Sequence, residues 1–175
     1  MDHFDYDAEE TLVVDDPERL RALADDLRAK IVTLLRERAL SITELAEQLG
    51  LPKGTVGHHV KVLERAGLIR VVRTRRVRAV TENYYGRVAR LFLLQSTDIE
   101  AAHGAVAAGI RRAADELAQS GAGLTSASIH LRLNPRDARQ FERRLERLVN
   151  DMRASETADG ERFGLAAAFY RREAR

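Results

Sequence analysis

The sequence predicts a mainly α-helical chain with a small β component. A helix-turn-helix with a β-hairpin behind it comes first, followed by an α/β segment in the order helix, strand, helix, strand. Three observations predict this class. Apolar residues recur at helical spacing through residues 17–66. The pattern turns to alternation just after Gly67. Helical and alternating stretches then take turns between residues 98 and 170.

The first elements are read from their ends. Residues 1–16 lack clear periodicity and are expected to form a partly ordered arm. Pro17 suits the first turn of a helix with Asp16 as its N-cap, and Leu20, Leu23 and Ala24 supply an apolar stripe. A second helix opens near Asp26 and carries Leu27, Ile31, Leu34 and Leu35. Ser41 and Glu44 have capping-box spacing and start a short helix with Ile42, Leu45, Ala46 and Leu49 inward. Gly50 is placed to end it in a left-handed turn. Residues 51–54 make a tight connection to a helix over about 53–66, which buries Val56, Val60 and Leu63 and stops at Gly67. Two short helices joined by such a turn are a helix-turn-helix.

Beyond Gly67, residues 68–73 and 76–80 read as two strands around Thr74-Arg75, with Arg75 at the tip. Thr81 is then placed to cap a helix containing Tyr84, Tyr85, Val88, Leu91 and Phe92. Residues 98–119 form an alanine-rich helix with two heptad-spaced sets, Ile99, Val106 and Ala113, and His103, Ile110 and Leu117. Gly121 and Gly123 break it. Ala127, Ile129, Leu131 and Leu133 alternate with polar residues and predict a half-buried strand. Asn134 and Pro135 start a helix through Phe141, Leu145, Leu148 and Met152. A last strand covers 163–170. It is apolar on both faces and needs cover on both sides.

Composition narrows the function. The 175 residues allow one to two domains, and 32% charged against 45% hydrophobic residues is a globular balance. The acidic start lacks a basic-then-apolar leader pattern, and no apolar run has the length of a membrane span, so a cytoplasmic location without membrane partners is expected. There is no cysteine, which removes disulfides, thiolate metal ligands and a cysteine nucleophile. The net charge of +2 hides an asymmetry. Residues 1–26 hold ten acids and two bases, residues 27–90 fourteen bases and five acids, and residues 91–175 thirteen bases and twelve acids. A basic middle third in a near-neutral chain points to a localised polyanion-binding surface.

Double-stranded DNA is the polyanion that fits. A helix matches the major groove, whose base edges carry distinct hydrogen-bond patterns. With Val56, Val60 and Leu63 inward, Thr55, His58 and Lys61 face out, and Lys53 and Thr55 lie in the first turn, where backbone N–H groups favour phosphate. Gly57 has no side chain and permits close approach, at a helix-propensity cost of about 1 kcal/mol. His59 borders the inward stripe and reads as a core or boundary histidine rather than a base contact. Arg70, Arg73, Arg75, Arg76 and Arg78 put five guanidinium groups into nine residues, with no acid between Glu64 and Glu82. A hairpin so charged can follow the phosphate backbone or enter a narrow minor groove. The plainer alternatives are a solvated helix face and a charged hairpin that avoids edge-to-edge pairing.

The segment SITELAEQLGLPKGTVGHHVKVLERAGLIRVVRTRRVRAV, preceded by LADDLRAKIVTLLRE, resembles the winged helix-turn-helix of the ArsR-type bacterial transcription regulators. The resemblance covers about residues 17–92. It implies that the helix bearing His58 reads DNA, that the chain works as a homodimer, and that it represses more often than it activates. Ser is frequent in the family where Gly57 stands here. The expected organisation is an acidic arm over 1–16, a winged helix-turn-helix DNA-binding domain over 17–95, and an α/β dimerisation or sensing domain over 96–175.

Other classes fare less well. There is no H-E-x-x-H, Walker loop or nucleophile elbow, so no enzyme is expected. Asp15-Asp16 and Asp25-Asp26 read as helix-start acids. Among His3, His58, His59, His103 and His130 no pair has i, i+4 spacing, so neither a metal site nor a cofactor is expected. His103 sits on an apolar seam as an interface residue, or as a contact to a small-molecule effector. A protein-interaction module and a ligand- or metal-responsive sensor are the rival readings.

Overall fold

The computed structural model describes residues 5–36, 38–77, 80–95, 99–119, 129–157, 159–161 and 163–171. Its contacts divide the chain into two compact units, one ending at Arg112 and one covering Ala113–Arg175.

In the first unit β1 (Glu9–Val14) leads into α1 (Pro17–Leu23), α2 (Asp26–Leu34), β2 (Leu40–Ser41), α3 (Ile42–Leu49) and α4 (Lys53–Arg65). Then come β3 (Ile69–Val77), β4 (Val80–Arg87), β5 (Ala89–Leu94) and α5 (Ile99–Gln119), which belongs to this unit up to Arg112. The helix starts follow the expected chemistry. Asp16 accepts from the Arg19 amide at 2.9 Å, and Asp25 from the Arg28 amide at 2.9 Å. Ser41 and Glu44 close the reciprocal capping box. Gly50 and Gly67 take φ of 64° and 65°, the left-handed region that lets α3 and α4 stop sharply. Leu20, Ile31, Leu35, Leu45, Val56, Val60, Leu63 and Leu68 are fully buried in one core beneath these helices.

Strands β2, β4 and β3 form an antiparallel sheet in that order. β3 and β4 stay paired out to Val77↔Val80, so the turn lies beyond Thr74-Arg75 and Arg75 is a strand residue rather than the tip. Residues 74–75 hold neither Gly nor Asn, and β-branched Thr74 favours continued strand.

The helix expected after Thr81 is absent. Tyr84 and Tyr85 lie in β4, and Leu91 and Phe92 in β5. The expected arm is also more ordered than its pattern implies, because β1 pairs in parallel with β5 in the register Thr11↔Leu91 to Val14↔Leu94. A parallel pair needs a long crossover, and here α1 through β4 supply it. That pairing satisfies backbone groups of β5 that a helix would have satisfied internally, and a pattern read locally cannot see it.

Within the first unit, α5 meets the core through its small residues. Ala105 and Ala108 are buried, and a side chain added at Gly104 would come within 2.8 Å of the Ala24 Cβ. The seam of His103, Ile110 and Leu117 is exposed instead.

In the second unit α6 (Pro135–Ala154) starts at Asn134, whose side chain accepts from the Asp137 amide at 2.9 Å. The two flanking strands do not form among the described residues. Residues 129–134 and 163–171 carry no sheet pairing, and Ile129, Leu131, Phe163 and Tyr170 are exposed. An isolated two-stranded sheet is marginal in water, and α6 buries none of its residues to cover one. Residue 127 and its neighbours in that expected strand, up to residue 128, lie outside the described residues. Among the described residues no helix is long and apolar enough to cross a membrane.

Candidate nucleic-acid interface

α4 is fixed from three sides. Val56, Val60 and Leu63 are fully buried. On one flank the His59 Nδ1 lies 3.5 Å from the Asp25 carboxylate that caps α2. At the C-terminal end Arg19 Nε donates to the Ala66 carbonyl at 3.2 Å. His59 is thus half-buried at the boundary between α4 and the start of α2.

What remains outward is the candidate reading face. Lys53, Thr55, His58 and Lys61 are all exposed. Gly54, His58, Lys61 and Arg65 follow i, i+4, i+7, i+11 spacing and share one helix face. Arg65 was not among the expected contacts, although its spacing from Lys61 could have found it. It is exposed. The cap residue of α4 is Pro52, which offers no side-chain acceptor, so the first-turn amides beside Lys53 keep their capacity for an anion.

Gly57 lies elsewhere on the circumference. A Cβ built on it would meet the Ile42 side chain of α3 at 3.7 Å, an ordinary contact distance. It therefore faces the junction of α3 and α4.

The arginines of the hairpin separate into two groups. Arg70 and Arg73, at its base, are held by the acidic arm. Arg70 Nη2 donates to the Asp7 carbonyl at 3.0 Å. The Arg73 guanidinium lies 3.9 Å from the Asp5 carboxylate and 4.6 Å from the centre of the Tyr84 ring. Arg75 and Arg76, further out on β3 opposite Glu82 and Thr81, are exposed. Beyond the bulge between Val71 and Arg73 the register is regular, and by alternation Arg73 and Arg75 share one face while Arg76 takes the other. Arg78 lies outside the described residues.

The arm is anchored by Tyr6. Its hydroxyl donates to the Leu35 carbonyl and accepts from the Arg87 amide at 2.9 Å. Its ring lies against Gly86, where any Cβ would stand 2.6 Å from the ring edge. Burial pushes the Tyr6 hydroxyl above its ordinary pKa of 10.0, against the opposing pull of Arg87. Asp5 also accepts from the Ala39 amide at 2.6 Å. No local pattern in residues 1–8 announces this clamp.

Among the described residues no three His, Asp or Glu side chains gather closely enough to hold a metal ion. His58 and His59 are ring neighbours at 5.5 Å in an edge-to-face arrangement, but they diverge, one exposed and one toward Asp25. His103 and His130 are exposed.

A helix-turn-helix domain family matches residues 23–72. The HTH-type transcriptional regulator KmtR of Mycobacterium tuberculosis is 44% identical over 59 residues, 34% of this chain and 43% of that protein. The HTH-type transcriptional regulator NmtR of the same organism is 42% identical over 50 residues, 29% of this chain and 42% of that protein. The HTH-type transcriptional repressor SmtB, also of M. tuberculosis, is 42% identical over 52 residues, 30% and 38% of the two chains. The chain thus spans less than half the length of the curated relatives it matches. Among solved structures, that of M. tuberculosis Rv0081 is 25% identical over 58% of this chain and 87% of that one, with a TM-score of 0.36.

Proposed function

We propose that the chain, whose residues 23–72 match a helix-turn-helix domain family, is a sequence-specific, non-enzymatic DNA-binding transcription regulator of the ArsR type. It acts as a repressor that occupies a two-half-site operator as a homodimer. The observation that carries the reading is the division of α4. One face is wholly buried, and the opposite face presents His58, Lys61 and Arg65 with Lys53 and Thr55 beside it.

The roles follow from chemistry. His58 and Lys61 read base edges in the major groove. Lys53 and Thr55 meet phosphate at the start of α4. Arg75 and Arg76, with Arg78, follow the backbone beside the groove, while Arg73 reaches DNA only where it leaves Asp5. Gly57 faces Ile42 at the junction of α3 and α4, at an ordinary contact distance for an added Cβ. In a dimer two α4 helices enter major grooves one helical turn apart, roughly 34–36 Å. Residues 96–175 supply the dimerisation module, and a small-molecule effector would act there.

Selection of bound fragments from genomic DNA tests both binding and site. A salt titration tests the hairpin. Replacing Arg75 and Arg76 by Ala weakens all sequences alike and lowers the slope of log K against log salt by about 0.9 per lost phosphate contact. An unchanged slope removes the hairpin from the interface.

A further inference from the structure

The second unit leaves one feature without a role. α6 is a 20-residue helix with a well-formed cap and not one buried residue. Its apolar residues are nonetheless ordered. Ala138, Phe141, Leu145, Leu148 and Met152 recur at spacings of three and four, the a and d positions of a heptad repeat. Phe141, Leu148 and Met152 are 42%, 50% and 45% exposed. A stripe of this kind is a seam that lacks its second helix.

We propose that the missing helix is α6 of a second copy, packed antiparallel. This rests on the homodimer of the proposed function and assigns part of its interface. The flanking charges select the orientation. In heptad terms Asp137, Arg144 and Asp151 occupy g positions, and Glu142 and Val149 occupy e positions. A parallel pair sets Asp137 of one helix against Glu142 of the other, two like charges repeated by symmetry. An antiparallel pair sets Arg144 against Asp151, opposite charges and likewise repeated. The core agrees. Antiparallel packing puts Leu145 against Leu148 in two central layers and Phe141 against Met152 in the two outer ones, where a thioether meets an aromatic ring. Arg144 already lies beside the seam, its guanidinium 5.5 Å from the Phe141 ring centre.

Two heptads make a short coiled coil, so this contact reinforces a dimer rather than creating a strong one alone. It is also the cover that the exposed apolar residues of α6 require.

The chain has no cysteine, so engineered thiols report cleanly. Phe141→Cys and Met152→Cys chains are prepared separately, mixed, and oxidised. The mixture is expected to form a disulfide-linked dimer, and each variant alone far less. Equal cross-linking of each variant with itself overturns the antiparallel setting. No cross-linking in any combination, while sedimentation still reports a dimer, overturns the role of α6 and leaves the homodimer standing. A monomeric parent chain at micromolar concentration overturns both. As an independent check, Arg144→Asp raises the dimer dissociation constant about three- to tenfold. Adding Asp151→Arg restores it, and failure of that rescue counts against the pairing.

Discussion

α3 and α6 begin in nearly the same way and end in different circumstances. Each starts on a side chain that accepts from the amide three residues on, Ser41 from Glu44 and Asn134 from Asp137. Each carries apolar residues at helical spacing. Yet Leu45 of α3 is fully buried, while α6 buries nothing. Capping and periodicity decide where a helix forms and which side it would bury. Burial itself needs a second surface, which α3 has in the core of its unit, whereas no residue of α6 is buried.

The sharpest way to break this comparison is to remove one leucine from each helix. Leu45→Ala opens a cavity in a closed core and costs about 2–5 kcal/mol. Leu148→Ala, on a half-exposed site, leaves the stability of a dilute, monomeric chain unchanged to within about 0.5 kcal/mol. Denaturant melts of both variants across a concentration series check this. A large loss for Leu148→Ala that is independent of concentration means that α6 has a core inside its own chain.

The same contrast explains what could be read from residues alone. Helix starts at Asp16, Asp25, Ser41 and Asn134 were legible because a cap acts over three residues. So were the stops at Gly50 and Gly67, and the buried trio Val56, Val60 and Leu63, which leaves His58 and Lys61 outward. What could not be read depends on distant partners. β5 is a strand because β1, some 80 residues earlier in the chain, pairs with it. Tyr84 and Tyr85 have spacing compatible with a helix, yet Tyr85 pairs with Leu40 and Val71. The strands expected around α6 fail for the converse reason, since alternation is present but a partner surface is not. At the hairpin, composition identified the arginines, whereas the contacts that hold Arg70 and Arg73 required the position of Asp5 and Asp7.

The next largest effect separates reading from holding within the first unit. His58→Ala removes an exposed side chain and leaves folding intact. Loss of a base-edge contact costs about 1–3 kcal/mol of discrimination between the operator and random DNA. Competition binding against both sequences measures the ratio. A proportional fall in both affinities makes His58 a phosphate contact instead.

Tyr6 tests the contact that residues 1–8 did not announce. Tyr6→Phe keeps the ring against Gly86 but deprives the Leu35 carbonyl and the Arg87 amide of the hydroxyl. The expected loss is about 1–2 kcal/mol. Alkali gives a second readout. Because burial holds the native hydroxyl above its ordinary value of 10.0, the unfolded chain releases that proton first as pH rises. The Tyr6 contribution is therefore complete below pH 10 and declines above it, and Tyr6→Phe should show a smaller alkaline drop than the parent. Equal drops in the two chains remove Tyr6 from that titration.

The smallest effect concerns Gly57, where sequence and structure assign different reasons to one missing side chain. If the gap serves DNA approach, any added atom weakens binding whatever it does to the fold. The structure turns the gap toward Ile42, with 3.7 Å between an added Cβ and the nearest side-chain carbon, which is room for a methyl group without displacement. Gly57→Ala then exchanges a glycine inside α4 for the best helix former. It should stabilise the chain by up to about 1 kcal/mol. Operator affinity should stay within twofold, since the new methyl group sits between two protein helices. Thermal melting and DNA titration on the same sample separate the cases. Higher stability with unchanged affinity places Gly57 in the α3–α4 joint. Higher stability with lost affinity moves it to the DNA face, and lower stability means that α3 cannot yield even the small space an ordinary contact requires.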